Sequence, residues 1–161
     1  MSDTMPSPRP EPGQPAPDFA LPRDGGEEVR LSKHLGAPVV LYFYPRDDTS
    51  GCTREAQGFT ELGSDFELLG ARVFGVSKDT VAKHEKFRDK YGLRVTLLSD
   101  AESDVCERYG VWVEKKMYGK TFMGIARSTF LIDAQGRIAR VWPRVKVEGH
   151  AAEVLDAVRA L

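Results

Sequence analysis

From Val39 to Tyr44 the chain reads Val-Val-Leu-Tyr-Phe-Tyr, a run of apolar and aromatic residues without polar interruption. The absence of alternation suits a central strand buried on both faces. Pro45 ends the run, and Arg46 to Gly51 is polar turn material. From Cys52 the apolar positions Phe59, Leu62 and Phe66 recur at helical spacing towards a stop near Gly70. Cys52 is therefore predicted in the first turn of a helix.

The same reading extends along the chain. Met1 to Pro17 is rich in proline and polar residues and is expected to be a flexible tail, with a single domain over 18–161. Phe19 and Leu21 face Val29 and Leu31 across Gly25-Gly26, which predicts an N-terminal β-hairpin. Ser32 to Ala37 reads as a connector of about one helical turn. Arg72 to Ser77 and Val95 to Leu98 are further short strands. Between them lies a helix with Asp79 as its expected cap and Gly92 as its stop, and Ser99-Asp100 opens a short helix through Cys106 to Tyr109. Repeated strand–helix units of this size predict parallel strands with right-handed crossovers and helices on both faces. After Val111 the texture changes. Ser128 to Asp133 and Arg137 to Val141 read as strands joined at Ala134-Gln135-Gly136, and Gly149 to Leu161 as an amphipathic helix. The fold class is α/β, with a mixed central sheet flanked by helices.

Composition narrows the function. With 161 residues, 41% of them hydrophobic and 29% charged, the chain fits one ordinary globular domain. Its net charge of −1 gives no basis for nucleic-acid or membrane-surface binding. No apolar stretch approaches the roughly 20 residues that span a bilayer, and the N-terminus has no signal-peptide core. A cytoplasmic protein is expected. Of the two cysteines, neither belongs to a C-x-x-C or a Cys/His set, so neither a metal nor a bound cofactor is expected.

The chemistry concentrates at Cys52. The first N–H groups of a helix lack intrahelical partners and the helix dipole is positive there, which favours a thiolate. Thr49 can aim a hydroxyl at the sulfur or at a substrate oxygen, or can simply be the helix N-cap, and Pro45 shields one side. Pro45-x-x-x-Thr49-x-x-Cys52 resembles the active-site signature of peroxiredoxins, thiol peroxidases of the thioredoxin-like fold. The longer string FYPRDDTSGCTREAQGF is similar to the branch called bacterioferritin comigratory protein or peroxiredoxin Q. A second stretch, Lys115 to Lys120 and Gly124 to Asp133, resembles late strands of that branch, and by this resemblance Arg127 completes the site.

The resemblance implies that Cys52 attacks hydrogen peroxide or an organic hydroperoxide to give a sulfenic acid, which thioredoxin or a glutaredoxin-type donor then reduces. Many members of the branch carry a resolving cysteine five residues after the first, where this chain has Gln57. Either Cys106 resolves after rearrangement or an external thiol acts directly; alternatively Cys106 is a small buried hydrophobe. A peroxide sensor that passes oxidation to a client and a non-catalytic thioredoxin-like binding domain are competing readings. The other polar groups read more plainly. His34, His84 and His150 are expected to be exposed or locally bonded without catalytic roles, and Asp47-Asp48 to be solvated turn residues. Glu55 either fixes Arg127 or sits in the first helical turn. Lys115, Lys116 and Lys120 read as a solvated loop or as an attractant for an acidic redox partner. A monomer is expected.

Overall fold

The β-branched and aromatic run at the centre of the chain forms β3 (Val39–Phe43), whose five residues are all buried. The structure, a computed structural model, describes residues 8–161. Two parallel neighbours lie on one side of β3, β4 (Arg72–Ser77) and then β5 (Thr96–Ser99). On its other side β8 (Ser128–Ile132) runs antiparallel to β3 and β9 (Ile138–Trp142) antiparallel to β8, giving a five-stranded mixed sheet in the order β5-β4-β3-β8-β9. The N-terminal hairpin pairs β1 (Ala20–Pro22) with β2 (Glu28–Arg30), with Gly25 and Gly26 at φ of 95° and 96°, a region that glycine enters without steric cost. A 3₁₀ turn at Leu31–His34 leads from it into β3.

Side-chain alternation along β3 divides the core into two layers. Val39, Leu41 and Phe43 pack with the hairpin residues Phe19, Leu21 and Val29 and with Val105 and Cys106 of α4 (Val105–Arg108). Val40, Tyr42 and Tyr44 face the opposite layer, built from α1 (Ser50–Glu61), α2 (Gly63–Leu68), α3 (Val81–Tyr91) and α5 (His150–Arg159). Each fully buried large side chain contributes roughly 1.5–3 kcal/mol, so this two-sided burial makes β3 the least movable element of the molecule. The site grows from its end.

Several expectations are corrected. The single helix predicted from Cys52 to Gly70 breaks at Leu62, whose ψ of 8° is not helical, and continues as the separate α2. Thr80, not Asp79, caps α3, its hydroxyl accepting from the Lys83 N–H; Asp79 instead takes the Ser77 hydroxyl and the Asp47 N–H. The helix expected to open at Ser99-Asp100 begins only at Val105, because the Asp100 carboxylate accepts the N–H groups of Val105 and Cys106 from outside the helix. The solvated loop expected around Lys115 to Lys120 is an antiparallel hairpin, β6 (Trp112–Met117) with β7 (Lys120–Ile125), turned at Tyr118 and Gly119 with both φ positive.

Residues 1–7 of the expected tail lie outside the described residues. The remainder of that segment is not free of the domain: the Gly13 N–H donates to the Ile138 carbonyl, the Ile138 N–H to Gln14, and the Tyr109 hydroxyl to the Pro17 carbonyl. Backbone pairing with β9 supplies the order that side-chain burial could not.

Candidate active site

At the end of β3 the Tyr44 N–H still bonds to the Val76 carbonyl, holding the strand direction one residue beyond its formal end. Proline then stops the ladder. The chain turns through Asp48 in the left-handed region (φ 62°), and Thr49, extended at φ −90° and ψ 157°, starts α1. The Thr49 carbonyl accepts both the Thr53 N–H and, at 2.7 Å, the Thr53 hydroxyl. Its own hydroxyl donates to the Arg46 carbonyl at 3.1 Å rather than to the sulfur. Thr49 therefore caps through its backbone, and its exposed hydroxyl, its proton given to Arg46, keeps its acceptor capacity. Cys52 follows in the first turn with 1% of its surface exposed, and Pro45, at the start of the turn, is half-buried.

Arg127 arrives from a distant part of the chain. Because β8 runs antiparallel to β3 with Ser128 opposite Phe43, the residue before Ser128 lies beside the start of α1. There the guanidinium forks: Nη2 donates to Cys52 Sγ at 3.3 Å and Nη1 to Glu55 Oε1 at 2.7 Å. Gly51 makes room for it, since a Cβ at that position would stand 3.1 Å from Nη2. Behind the fork, the Arg127 carbonyl accepts the Val145 N–H, fixing the backbone that carries it. The sulfur thus sits between a helix N-terminus and a fixed cation.

Glu55 completes the arrangement at a cost. Burial pushes its carboxyl up to about 7, against the opposing pull of Arg127, and its Oε2 has no hydrogen-bond partner among the described residues. Since 4.5 is its ordinary value, the folded protein holds this proton more tightly than the unfolded chain does. The group's contribution to stability is complete below about pH 4.5 and is lost as pH rises through about 7. Glu55→Gln is expected to remove this downward slope, measured as urea midpoints across pH 4.5 to 8; an unchanged slope would assign the pH dependence elsewhere. Above about pH 7 the protein keeps a costly carboxylate that accepts from Arg127.

The remaining candidates are distributed as follows. Cys106 is fully buried in the other core layer, across the central sheet from Cys52; burial first, and then the Asp100 carboxylate, drive its thiol well above the ordinary range. Lys115, half-buried on β6, senses the site: burial and Arg127 lower its pKa while Cys52 raises it. The resemblance gave Lys115 no role, and only its position on a strand pairing back towards Gly124 reveals it. The side chains of Asp47, expected in a solvated turn, and His84, expected to be exposed or locally bonded, are both buried and bonded to each other at 2.7 Å. His150 is buried against Thr129 at 2.8 Å. Among the described residues no group of His, Cys, Asp and Glu side chains could hold a metal ion, and no helix is long and apolar enough to cross a membrane.

Comparison with known proteins gives a consistent picture. Residues 12–141 match the AhpC/TSA family. The Bcp chain of Coxiella burnetii is 54% identical over 145 residues, covering 90% of this chain and 96% of that one. Peroxiredoxin Bcp of Bacillus subtilis is 48% identical over 147 residues, covering 91% and 94%. Among solved structures, the bacterioferritin comigratory protein of Xanthomonas campestris, described for its alkyl peroxide reduction activity, superposes with a TM-score of 0.84 at 42% identity over 88% of this chain and 90% of that one.

Proposed function

The chain belongs to the AhpC/TSA family and is a thiol-dependent peroxidase, a peroxiredoxin of the bacterioferritin comigratory protein branch, and from that premise we propose that Cys52 is the thiol that meets the peroxide. The observation that carries this assignment is the forked contact of Arg127 with Cys52 Sγ and Glu55.

The thiolate of Cys52 attacks the terminal oxygen of a hydroperoxide. The S–O bond forms as the O–O bond breaks, and the departing oxygen leaves as water or an alcohol after taking up a proton, with Cys52 left as a sulfenic acid. The helix N-terminus and Arg127 oppose negative charge first on sulfur and then on the departing oxygen. Thr49, with its proton committed to the Arg46 carbonyl, accepts from the peroxide O–H and so orients the substrate. Pro45 limits water on the side of the turn. Hydrogen peroxide and organic hydroperoxides both meet these requirements, because the groups named here contact only the O–O unit.

Reduction of the sulfenic acid falls to an external thiol, of thioredoxin or of a glutaredoxin-type donor, in the cytoplasm and with the enzyme acting as a monomer. Gln57 removes the local partner. Cys106 lies in the opposite core layer, and a disulfide needs Cα atoms about 4.4–6.8 Å apart, so pairing requires the sheet or α1 to open. Intact-mass analysis after one equivalent of hydrogen peroxide tests both parts. Wild type and Cys106→Ser are each expected to gain one oxygen at Cys52, with Cys106 remaining a free thiol in wild type. Loss of two hydrogens at monomer mass, in wild type only, would make Cys106 the resolving residue. No reaction at Cys52 would remove the assignment of that thiol. Sustained turnover with added thioredoxin then distinguishes a peroxidase from a sensor.

A further inference from the structure

We propose that His84 is a positioning residue of the peroxidase reaction, a doubly protonated imidazolium that clamps the Pro45 to Thr49 turn through Asp47. The proposal rests on Cys52 being the reacting thiol, because that turn determines where α1 begins.

His84 is fully buried on α3, and each of its ring nitrogens meets an acceptor. Nε2 lies 2.9 Å from the Leu98 carbonyl, which has no proton to give, so Nε2 must carry one. Nδ1 lies 2.7 Å from Asp47 Oδ2. The other Asp47 oxygen accepts the Tyr44 hydroxyl at 2.6 Å, so the carboxylate is occupied on both sides by donors. With the shared proton on Nδ1, every polar atom of the pair is satisfied, and the ring and the carboxylate form an ion pair buried without net charge.

The surroundings favour the same state. Asp47 comes from the turn after β3, Tyr44 from the end of β3, and Asp79 from the loop before α3; these are the titratable groups facing the ring, and none is a cation. Burial alone would lower the imidazole's affinity for its proton, but the hydrogen bond and charge of Asp47, helped by the Leu98 carbonyl and Asp79, outweigh it and the pKa is raised. The stability contributed by the charged ring is fully present below the ordinary value of 6.5 and is lost as pH rises through the raised folded value.

The clamp matters because Asp47 stands five residues before Cys52 at the apex of the turn. Its N–H is held by Asp79 at 2.8 Å and its carboxylate by Tyr44 and His84; the next residue, Asp48, is tied to Lys90 and Tyr91 of the same helix α3. The turn is thus anchored to α3 on one side, as Arg127 and Glu55 anchor the first turn of α1 on the other. Neutralising or removing His84 leaves a buried carboxylate without its counter-charge, and the turn moves to find water.

Two measurements test this. Nitrogen-15 spectra of the reduced protein at pH 7 should show both His84 ring nitrogens protonated; a neutral ring at that pH overturns the proposal whatever the fate of any variant. Stopped-flow rates of Cys52 with hydrogen peroxide and with iodoacetamide should separate in His84→Gln. The peroxide rate is expected to fall about tenfold or more, because that reaction needs the turn and Arg127 in register. The iodoacetamide rate, which needs only a reachable thiolate, should stay within about twofold. An unchanged peroxide rate, or an equal fall in both, assigns His84 a purely structural role and overturns the proposal. If His84→Gln does not fold, Asp47→Asn makes the same comparison, since an amide can keep the hydrogen bond to a neutral ring while the ion pair is lost. Failure of wild-type Cys52 to react with peroxide would count against the Cys52 assignment and leave the nitrogen-15 result to judge His84.

Discussion

Arg127→Lys is expected to slow the reaction of Cys52 with hydrogen peroxide by about 10²–10³-fold, the range seen when one preorganised donor to a developing oxyanion is lost. The lysine keeps the charge, so the loss is one of geometry. Arg127 presents two nitrogens in one plane, one 2.7 Å from Glu55 and the other 3.3 Å from the sulfur. A single ammonium on a flexible stem can satisfy Glu55 or approach Cys52, but it cannot do both as a rigid fork. Glu55 is the stronger claimant because it is a buried carboxylate, and the lysine will be drawn to it and away from the reacting atoms. The peroxide rate constant from stopped-flow mixing checks this. A value within threefold of wild type would remove Arg127 from the transition state and leave the helix N-terminus as the main source of positive charge. A fall in the rate constant without weaker saturation by substrate is the expected signature of an interaction made mainly in the transition state.

How much of this arrangement the sequence disclosed depended on whether the signal was local. β3, the Cys52 helix, the hairpin at Gly25-Gly26 and the strand Arg72 to Ser77 were legible because each carries its own period or turn chemistry. The placement of Arg127 beside Cys52 came only through resemblance, since no local rule links residues 75 positions apart; the antiparallel pairing of β3 with β8 supplies the physical reason. Asp47 was misread for the same reason: it looked like a solvated turn residue, His84 was isolated in sequence, and only the packing of α3 against the turn makes them a buried pair. The β6–β7 hairpin was legible as strand only through resemblance, because its charged residues mask strand alternation and its turn uses Tyr118, not an Asn or Asp, before Gly119. The division of the two cysteines between core layers follows from alternation along β3 but needs the position of α4, which four helical residues do not announce.

Phe59→Ala is expected to be the most destabilising single change on the helix that carries Cys52, costing about 3–5 kcal/mol. The ring is buried to 1% exposure and touches each element that α1 must lie against. It stacks on Tyr42 of β3 with centroids 4.6 Å apart, meets Phe66 of α2 at 5.9 Å and meets the edge of His150 of α5 at 6.1 Å. The stack is possible because Tyr42 lies across Gly75 of β4, where any Cβ would come within 2.6 Å of the phenol ring. Truncation removes the ring from the middle of this sequence of contacts, and the flanking aromatic groups are too rigid to close the cavity completely. For a chain of this length each kcal/mol lowers the melting temperature by roughly 2–4 °C, so calorimetry should record a drop of roughly 6–20 °C. A drop below about 3 °C would mean that the contacts of α1 with the sheet outside this ring suffice to seat it. The expected loss bears on function, because Cys52 sits two turns from Phe59 and is aligned with Arg127 only while α1 stays on the sheet. In the folded fraction of the variant, local opening of α1 should raise the iodoacetamide rate of Cys52 while lowering its peroxide rate, a divergence that stability loss without detachment of α1 would not produce.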